Sequence, residues 1–460
     1  MLQAAFIVPH PPIIIPSVGR GQESGISLTA KSFDEIGRMI NSIAPETIII
    51  TTPHSIMYSD YFHISPGGGA LGNLSKFGAA DVDISVDYDT DLINEIIREA
   101  GDTGIPAGTL GEEDKALDHG CLVPLYFINR HYRDYKLIRI GLSGLSLDEH
   151  YKLGMCINKA VAISGRKAVF VASGDLSHRL KAGGPYGFAE EGVIFDNRIT
   201  GAMKTGDFYK FLTIDGALTE KAAECGLRSF VIMAGALDGV KVKSELYSYE
   251  NTFGVGYAIA SFEPDGEEES RKLLDKYLES ERAKINEIRQ GEDEYVRLAR
   301  MSAEYFVLNN AYLKAPDGLS GDMLNNRAGA FVSVKKRGVL RGCIGTIAPI
   351  KENICMEIIH NAVSAVSEDP RFEPVKADEL NELIYSVDVL SPPESIKGRD
   401  ELDPARYGVI VSSGYKRGLL LPNLEGIDSV DKQIDIARRK AGIGADEKYT
   451  LERFEVIRHK

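Results

Sequence analysis

The chain has 460 residues, of which 43% are hydrophobic, and a formal net charge of -14. This length exceeds what one hydrophobic core supports and predicts two or three domains, while the surplus of acidic residues argues against broad contact with nucleic-acid phosphates. The five widely spaced cysteines form no CxxC pair, the N-terminus has no basic stretch of a signal peptide, and no apolar run is long enough to span a membrane, so we expect a cytoplasmic protein.

Short apolar runs rich in isoleucine and valine alternate with segments of helical periodicity through the first half of the chain. The runs lie at 3–8, 46–52, 136–142 and 167–173. The helical segments lie near 28–43, 90–100, 147–164 and 189–204. Strands that alternate with helices usually form a largely parallel sheet covered by helices. We therefore predict an α/β fold in which a largely parallel sheet is sandwiched by helices.

A cluster of chain breakers and acidic residues follows the last strand-like runs of this half. The segment 264–270 reads PDGEEES, a composition typical of a surface linker. We place a linker at 263–272, between a first domain at 1–262 and a second domain at 273–460.

The second domain shows helix and strand signals in a different order. Two helical segments near 271–283 and 293–313 come first, and a hairpin-like stretch at 330–347 follows, with its turn at Arg337 and Gly338. Helix and strand signals then continue to the C-terminus. This pattern predicts a smaller α+β domain.

Four histidines of the first half lie at or near the ends of predicted strands. His10, His54 and His178 lie just past three of the apolar runs, and His119 lies in a loop before another apolar segment. Ligands of open α/β sheets bind outside the carboxyl ends of the strands. A single loop histidine could equally be a surface or capping residue. Four of them in such positions predict a shared crevice.

The same histidines lie in short motifs that occur in a characteristic order. The motifs are VPHPP at 8–12, PH at 53–54, LDHG at 117–120 with VPL at 123–125, and GDLSH at 174–178. They resemble the ordered motifs of the LigB family, the catalytic subunits of class III extradiol ring-cleaving dioxygenases. The resemblance covers about residues 1–260. It implies a fold of the LigB type for the first domain.

This resemblance also implies a role for each histidine. His10 and His54 would be two ligands of a facial triad for Fe(II), which leaves coordination positions open for substrate and O2. The third ligand would be an acid on a downstream helix, where Glu224 matches, although a solvated helix acid would look the same. His178 would serve as a general acid/base, and His119 would form a hydrogen bond with substrate or bound oxygen.

Two aspartates lie within these motifs, and the resemblance also implies a function for the domain. Asp118 and Asp175 are candidates for orienting the site, and both could equally cap turns.

The leading expectation is an Fe(II)-dependent, extradiol-dioxygenase-like oxidoreductase that acts on a small aromatic or phenolic substrate with O2.

The related Memo family leaves the third ligand and the metal open. That family has the same sheet and similar histidine motifs but presents a cysteine where the dioxygenases use an acid, and Cys225 adjoins Glu224. Adjacent helix positions project about 100° apart, so one of the two would face the metal. We choose Glu224 and expect Cys225 to be a buried thiol. A Memo-like chain would be a metal-binding or adaptor protein, with copper or zinc as alternatives to iron, that works with a radical SAM partner and cleaves no ring.

Four further motifs mark the second domain. They are GAFVSV at 329–334, LRGCIGT at 340–346, DPRF at 369–372 and RGLLLP at 417–422. They resemble the AMMECR domain. Cys343, with glycines nearby and Arg341 two residues before it, is a candidate nucleophile or cleft residue, because glycines permit close approach of a ligand and a cation favours a thiolate. The alternative is a buried cysteine among glycines that serve strand packing.

Overall fold

The computed structural model describes residues 2–111, 116–424 and 426–460. The chain divides into two compact units, Met1–Leu278 and Glu279–Lys460, and each unit has a hydrophobic core of its own. Within the described ranges, no helix is both long and apolar enough to cross a membrane.

Strands and helices alternate through the first unit. The strands are β1 Leu2–Val8, β2 Thr47–Thr52, β3 Phe62–His63, β4 Gly69–Leu74, β5 Ala79–Asp87, β6 Ala107–Gly108, β7 Lys136–Gly141, β8 Ala168–Ser173, β9 Val240–Glu250 and β10 Tyr257–Glu267. The helices are α1 Pro16–Gly19, α2 Ser27–Ile43, α3 Thr90–Asp102, α4 His119–Ile128, α5 Leu147–Ser164, α6 Glu190–Thr205, α7 Tyr209–Leu212, α8 Gly216–Ala222 and α9 Leu227–Ala236. Helix α10, Leu273–Gln290, begins in the first unit and ends in the second. Short 3-10 helices lie at Pro12–Ile14, Gln22–Ile26, Ser75–Phe77 and Glu269–Arg271.

The central sheet of this unit has the strand order β7-β2-β8-β1-β10-β9. The first four strands are parallel, and β10 and β9 are antiparallel to their neighbours. Every residue of β2 and β8 is buried, as in a sheet covered on both faces. The predicted α/β fold with a largely parallel sheet is confirmed. Because β1, β8 and β2 are adjacent and parallel, their carboxyl ends lie side by side.

Two groups of helices cover this sheet. Helix α2 packs against α4, while α5 packs against both α3 and α9. Helices α2, α3, α5 and α6 coincide with the segments of helical periodicity. Helix α4 contacts β2, and α9 contacts β8 and β2, so the first turns of both helices lie near the strand ends that carry the histidine motifs.

The segment expected to be a linker, 263–272, has a different structure. Strand β10 continues to Glu267, with Pro264 paired to Val242 of β9, and a 3-10 turn leads into α10. Proline is tolerated there because β1 pairs with β10 only as far as Phe262, so the missing N–H of Pro264 faces no strand on that side. The linker expectation was wrong because acidic residues and breakers also suit the exposed end of a strand.

The second unit is built on an antiparallel sheet with the order β12-β11-β13-β17-β15-β16, and β14 pairs with β17. The strands are β11 Gly329–Lys336, β12 Val339–Gly345, β13 Leu383–Leu390, β14 Glu394–Ile396, β15 Tyr407–Ser413, β16 Lys416–Leu420 and β17 Thr450–His459. The helices are α11 Glu294–Asn309, α12 Gly321–Asn325, α13 Ile354–Ser367 and α14 Val430–Lys440, with 3-10 helices at Ala377–Glu382 and Arg399–Glu401.

The predicted hairpin is present in this unit as β11 and β12. Its two turn residues, Arg337 and Gly338, have φ angles of 53° and 80°. Positive φ at both central positions is typical of a type I′ turn, whose twist matches that of the flanking strands. The predicted α+β class of the second unit is confirmed.

Close backbone packing at Gly174 gives the first testable prediction. A Cβ atom at Gly174, just past β8, would overlap the Cα atom of Gly226 in the turn before α9. We expect Gly174→Ala to lower the free energy of unfolding by about 1–3 kcal/mol, because the backbone must move to admit the methyl group. Gly201 in α6 has open space around it, so Gly201→Ala should instead raise stability by about 0.5–1 kcal/mol. Urea unfolding of both variants measures this, and equal effects would contradict the packing.

Candidate metal centre

His10 lies just past the end of β1 and is only 2% exposed. Its backbone N–H donates to Oδ1 of Asp175 at 2.8 Å, and its ring Nδ1 lies 2.9 Å from Oγ of Ser173, the last residue of β8. Because β1 and β8 are adjacent parallel strands, their ends hold the imidazole between them. His10 therefore has a fixed backbone and a fixed ring.

The hydrogen bonds of Ser173 determine the tautomer of His10. The Ser173 hydroxyl donates its single hydrogen to the carbonyl oxygen of Gly120 at 2.6 Å. Its oxygen must therefore accept from His10, which places the ring proton on Nδ1. Nε2 of His10 is then unprotonated and has a lone pair for a cation.

His54 lies two residues past the end of β2 and meets His10 at its ring. The Nε2 atoms of the two histidines are 2.9 Å apart, and their ring centroids are 4.7 Å apart. Two nitrogens bound at right angles to one ion, each at a distance near 2.1 Å, would be about 3.0 Å apart. The two imidazoles therefore fit cis positions around a single metal ion.

His119 completes a group of three imidazoles. It is the first residue of α4, and its ring stacks on His54 with centroids 4.0 Å apart. One ring nitrogen from each of His10, His54 and His119 lies within 4.8 Å of the other two. We predicted His119 to contact substrate or oxygen. The structure places its ring within the same group, so His119 is a candidate third ligand.

The start of α4 explains how His119 reaches this position. Asp118 caps the helix, and its side chain accepts from the backbone N–H of Cys121 at 3.3 Å and from the Thr52 hydroxyl at 2.6 Å. A Cβ atom at Gly120 would overlap Oγ1 of Thr52, so this glycine lets the helix start close to β2. The capping role that we considered for Asp118 is therefore present.

Glu224 and Cys225 differ from their predicted arrangement. They lie in the turn between α8 and α9 and not within a helix. The Glu224 carboxylate accepts from the backbone N–H of Leu227 at 2.7 Å and so caps the first turn of α9. The Cys225 Sγ atom lies 3.7 Å from Nε2 of His10 and accepts from the N–H of Asp175 at 3.3 Å. The thiol is thus beside the histidines, and Glu224 is outside the group of three.

Burial keeps the histidines neutral. Desolvation, with the neighbouring imidazoles, lowers the pKa of His10 well below its usual value of 6.5. Desolvation also lowers the pKa values of His54 and His178, and it lowers that of His119 to about 4. Neutral imidazoles offer lone pairs to a cation at pH 7.

The buried acids and the thiol shift in the opposite direction. Burial raises the pKa of Asp175 and that of Glu224 to about 7, and it raises the pKa of the Cys225 thiol well above 9. The Asp175 and Glu224 carboxyl groups are therefore only partly ionised near pH 7, and the Cys225 thiol keeps its proton. A cation at the site would reverse this tendency, because it favours carboxylate and thiolate.

His178 lies beside the three histidines but outside their group. Its backbone N–H donates to the carbonyl of Ala222 at 3.1 Å, and its ring meets Tyr186 edge-on with centroids 5.2 Å apart. Its Nδ1 is buried and has no hydrogen-bond partner among the described residues. A backbone hydrogen bond with Ala223 partly offsets the desolvation that lowers the His178 pKa.

Three contributors to the site carried no signal in the sequence. Ser173 is simply the last residue of a buried strand, and Arg139 lies within an apolar run, where a cation is unexpected. Phe77, in a 3-10 turn, meets the His119 ring with centroids 5.3 Å apart. Their roles depend on contacts between distant segments.

The second candidate site, around Cys343 in β12, has a structural explanation. The Ser333 hydroxyl donates to Sγ of Cys343 at 3.2 Å. The backbone N–H of Cys343 donates to Oδ2 of Asp369 at 2.8 Å. A Cβ atom at Gly342 would overlap the carbonyl oxygen of Ala365 in α13. Gly342 therefore serves packing of the strand on the helix, as in the alternative, whereas Cys343 itself is half-buried and not the buried cysteine of that alternative.

Both halves of the chain match known families. Residues 4–260 match the family described as the catalytic LigB subunit of aromatic ring-opening dioxygenase, and residues 296–459 match AMMECR1. A Clostridium acetobutylicum protein is 44% identical over 100% of this chain and 99% of its own length. A Thermotoga maritima protein is 46% identical over 37% of this chain and 99% of its own length. The solved structure of an uncharacterised Escherichia coli protein aligns with 56% of this chain and 99% of its own, at 14% identity and a TM-score of 0.40.

The hydrogen bond from His10 to Ser173 gives the second prediction. Ser173→Ala removes the acceptor that fixes the proton on Nδ1, so Nε2 is no longer held unprotonated and oriented. We expect metal affinity to fall about 10- to 100-fold, as when other partners of metal-ligating histidines are lost. Ser302 is an equally buried serine whose hydroxyl bonds to its own helix in the second unit, so Ser302→Ala should bind metal normally. Unchanged affinity in Ser173→Ala would contradict the tautomer assignment.

Proposed function

This chain belongs to the LigB family and carries an AMMECR1 domain as its second unit, and we propose that its first unit is a metal-dependent oxidoreductase acting on a small aromatic or phenolic substrate with O2. The observation that supports this most is the group of His10, His54 and His119, whose ring nitrogens lie within 4.8 Å of one another. These three histidines hold the metal, and Asp175 anchors the backbone of His10.

Fe(II) is the metal proposed for this site. Imidazole suits iron, copper and zinc, and three neutral imidazoles leave coordination positions free, so copper and zinc are the alternatives. Bound Fe(II) would supply the redox chemistry that lets O2 react with a phenolic ring. In ring cleavage by a dioxygenase both atoms of O2 enter the product, so the reaction needs no external reductant.

Two side chains support an aromatic substrate. Phe77 lies against His119 and is 39% exposed, and Tyr186 lies against His178 and is 58% exposed. Large exposed aromatic side chains beside a site often mark a binding surface. In the proposed reaction these rings contact the substrate ring, and the His178 imidazole accepts a proton from a phenolic hydroxyl.

A Memo-like role is the second candidate, and the position of Cys225 favours it. The Sγ atom, 3.7 Å from Nε2 of His10, needs only a small movement to become a ligand. A site of imidazole and thiolate suits copper or zinc. In this alternative the first unit binds metal without cleaving a ring, and the chain works with a radical SAM protein through one of its two units.

Oxygen uptake by the iron-loaded protein tests the oxidoreductase proposal. We expect the full chain, reconstituted anaerobically, to bind one Fe(II) and to consume O2 when catechol is added. His54→Ala should lose both iron and uptake, because it removes a ligand. His178→Ala should retain iron and lose uptake by about a hundred- to ten-thousand-fold, the usual contribution of a general acid/base. Iron-loaded protein that consumes no O2 with any catechol would favour the Memo-like role.

A pair of variants separates the two third-ligand candidates. Glu224→Gln keeps the size of the side chain and should leave metal content unchanged, because the carboxylate serves mainly as a helix cap. Cys225→Ser should lower the affinity for copper or zinc if the thiol is a ligand. Elemental analysis after dialysis against a chelator measures both. Loss of metal in Glu224→Gln alone would restore the triad of two histidines and one acid.

A further inference from the structure

A fully buried arginine lies directly behind the start of α4. Arg139 of β7 is 0% exposed, its Nε donates to Oγ of Ser65 at 2.6 Å, and its Nη1 donates to the carbonyl of Ala116 at 2.5 Å. The same Nη1 lies 3.8 Å from Oδ2 of Asp118. Removing a guanidinium from water is strongly unfavourable unless acceptors surround it. The buried charge of Arg139 therefore stabilises the Asp118 carboxylate through an ion pair and not through a hydrogen bond.

The Asp118 carboxylate joins the two segments that carry His54 and His119. Its Oδ1 accepts from the Thr52 hydroxyl at 2.6 Å and from the N–H of Cys121 at 3.3 Å. Oγ1 of Thr52 in turn accepts from the backbone N–H of His54 at 3.2 Å. One carboxylate oxygen thus links the end of β2 to the first turn of α4.

The opposite end of β2 carries the same arrangement without a histidine. The Thr47 hydroxyl donates to Oδ2 of Asp89 at 2.6 Å, and Asp89 caps α3 by accepting from the N–H of Leu92 at 3.3 Å. Nε of Arg166 lies 3.3 Å from Oδ2 of Asp89. A threonine, a capping aspartate and an arginine therefore join β2 to a helix at each end. Arg166 is 30% exposed and also pairs with Glu46 and Asp91, whereas Arg139 is fully buried. Only the network at Asp118 is tied to histidines of the metal centre.

We propose that Asp118, held by Arg139, is a positioning residue that sets the distance between the His54 and His119 rings, an inference that rests on the metal site proposed above. It acts through Thr52 and through the first turn of α4 and touches neither metal nor substrate. Outer hydrogen bonds of this kind orient metal ligands and typically contribute 10- to 100-fold to affinity. The Asp89 network supports the fold alone.

Cobalt binding by paired variants of the full chain tests this proposal. Asp118→Asn and Asp89→Asn each remove one charge from a network of a threonine, a capping aspartate and an arginine, so we expect both to lower the temperature of unfolding. Asp118→Asn should weaken Co(II) binding about 10- to 100-fold in competition with a chelator and should alter the visible spectrum of the bound ion. Asp89→Asn should bind Co(II) as the wild type does, with the same spectrum.

A second pair keeps the test decisive if Asp118→Asn fails to fold. Thr52→Val and Thr47→Val preserve shape and remove one hydroxyl each, and only Thr52→Val should weaken binding. In the metal-free protein, the imidazole 15N resonances of His54 and His119 should move in Thr52→Val and not in Thr47→Val. Equal Co(II) affinity for the Asp118 and Thr52 variants and the wild type would overturn the positioning role. A wild type that binds no Co(II) would instead contradict the metal site itself.

Discussion

The parallel pairing of β1, β8 and β2 is the constraint on which the site depends. Val8 pairs with Ser173, and Thr51 pairs with Ala172, so the three strands end at one edge of the sheet. The segment that follows each of these strands therefore begins at this edge of the sheet. His10 and His54 meet there because their strands end there, and the close backbone contact of Gly174 with Gly226 brings the turn before α9 to the same edge.

The first turn of α4 ties this edge together. Its Gly120 carbonyl accepts from Ser173, which fixes the His10 ring, and its Asp118 side chain accepts from Thr52, two residues before His54. His119 lies between these two positions. Each of the three histidines is therefore connected to one helical turn by at most two hydrogen bonds, His10 through its ring and His54 through its backbone N–H. Such preorganisation limits the movement of the ligands and suits a site whose geometry must be held within fractions of an ångström.

Much of this arrangement could be predicted from local sequence patterns. The isoleucine- and valine-rich runs predicted the strands. The position of His10 and His54 just past two of these strands predicted the shared crevice, and the Arg337-Gly338 pair predicted the hairpin. These signals lie within a few neighbouring residues. The motifs for both families lie in equally local stretches, which is why the two units could be assigned without coordinates.

The remaining features depend on contacts between distant segments. Glu224 lies in a stretch with helical periodicity, but the chain turns there because Ala223 adopts a left-handed φ of 53° at the end of α8. Pro264 suggested a linker because the sequence does not reveal where β1 stops pairing with β10. The role of Arg139 follows only from its burial beside Asp118. To predict such features, one must know which distant residues come into contact. Ser173, the partner of the His10 ring, is 163 residues away in the sequence.

Anomalous diffraction at the iron absorption edge, from crystals of the anaerobically reconstituted full chain, tests the central claim most directly. One strong anomalous peak should lie within bonding distance of Nε2 of His10, Nε2 of His54 and a ring nitrogen of His119, near 2.1 Å from each. A peak bonded to the Glu224 carboxylate in place of His119, or no peak between these three rings, would contradict the three-histidine centre.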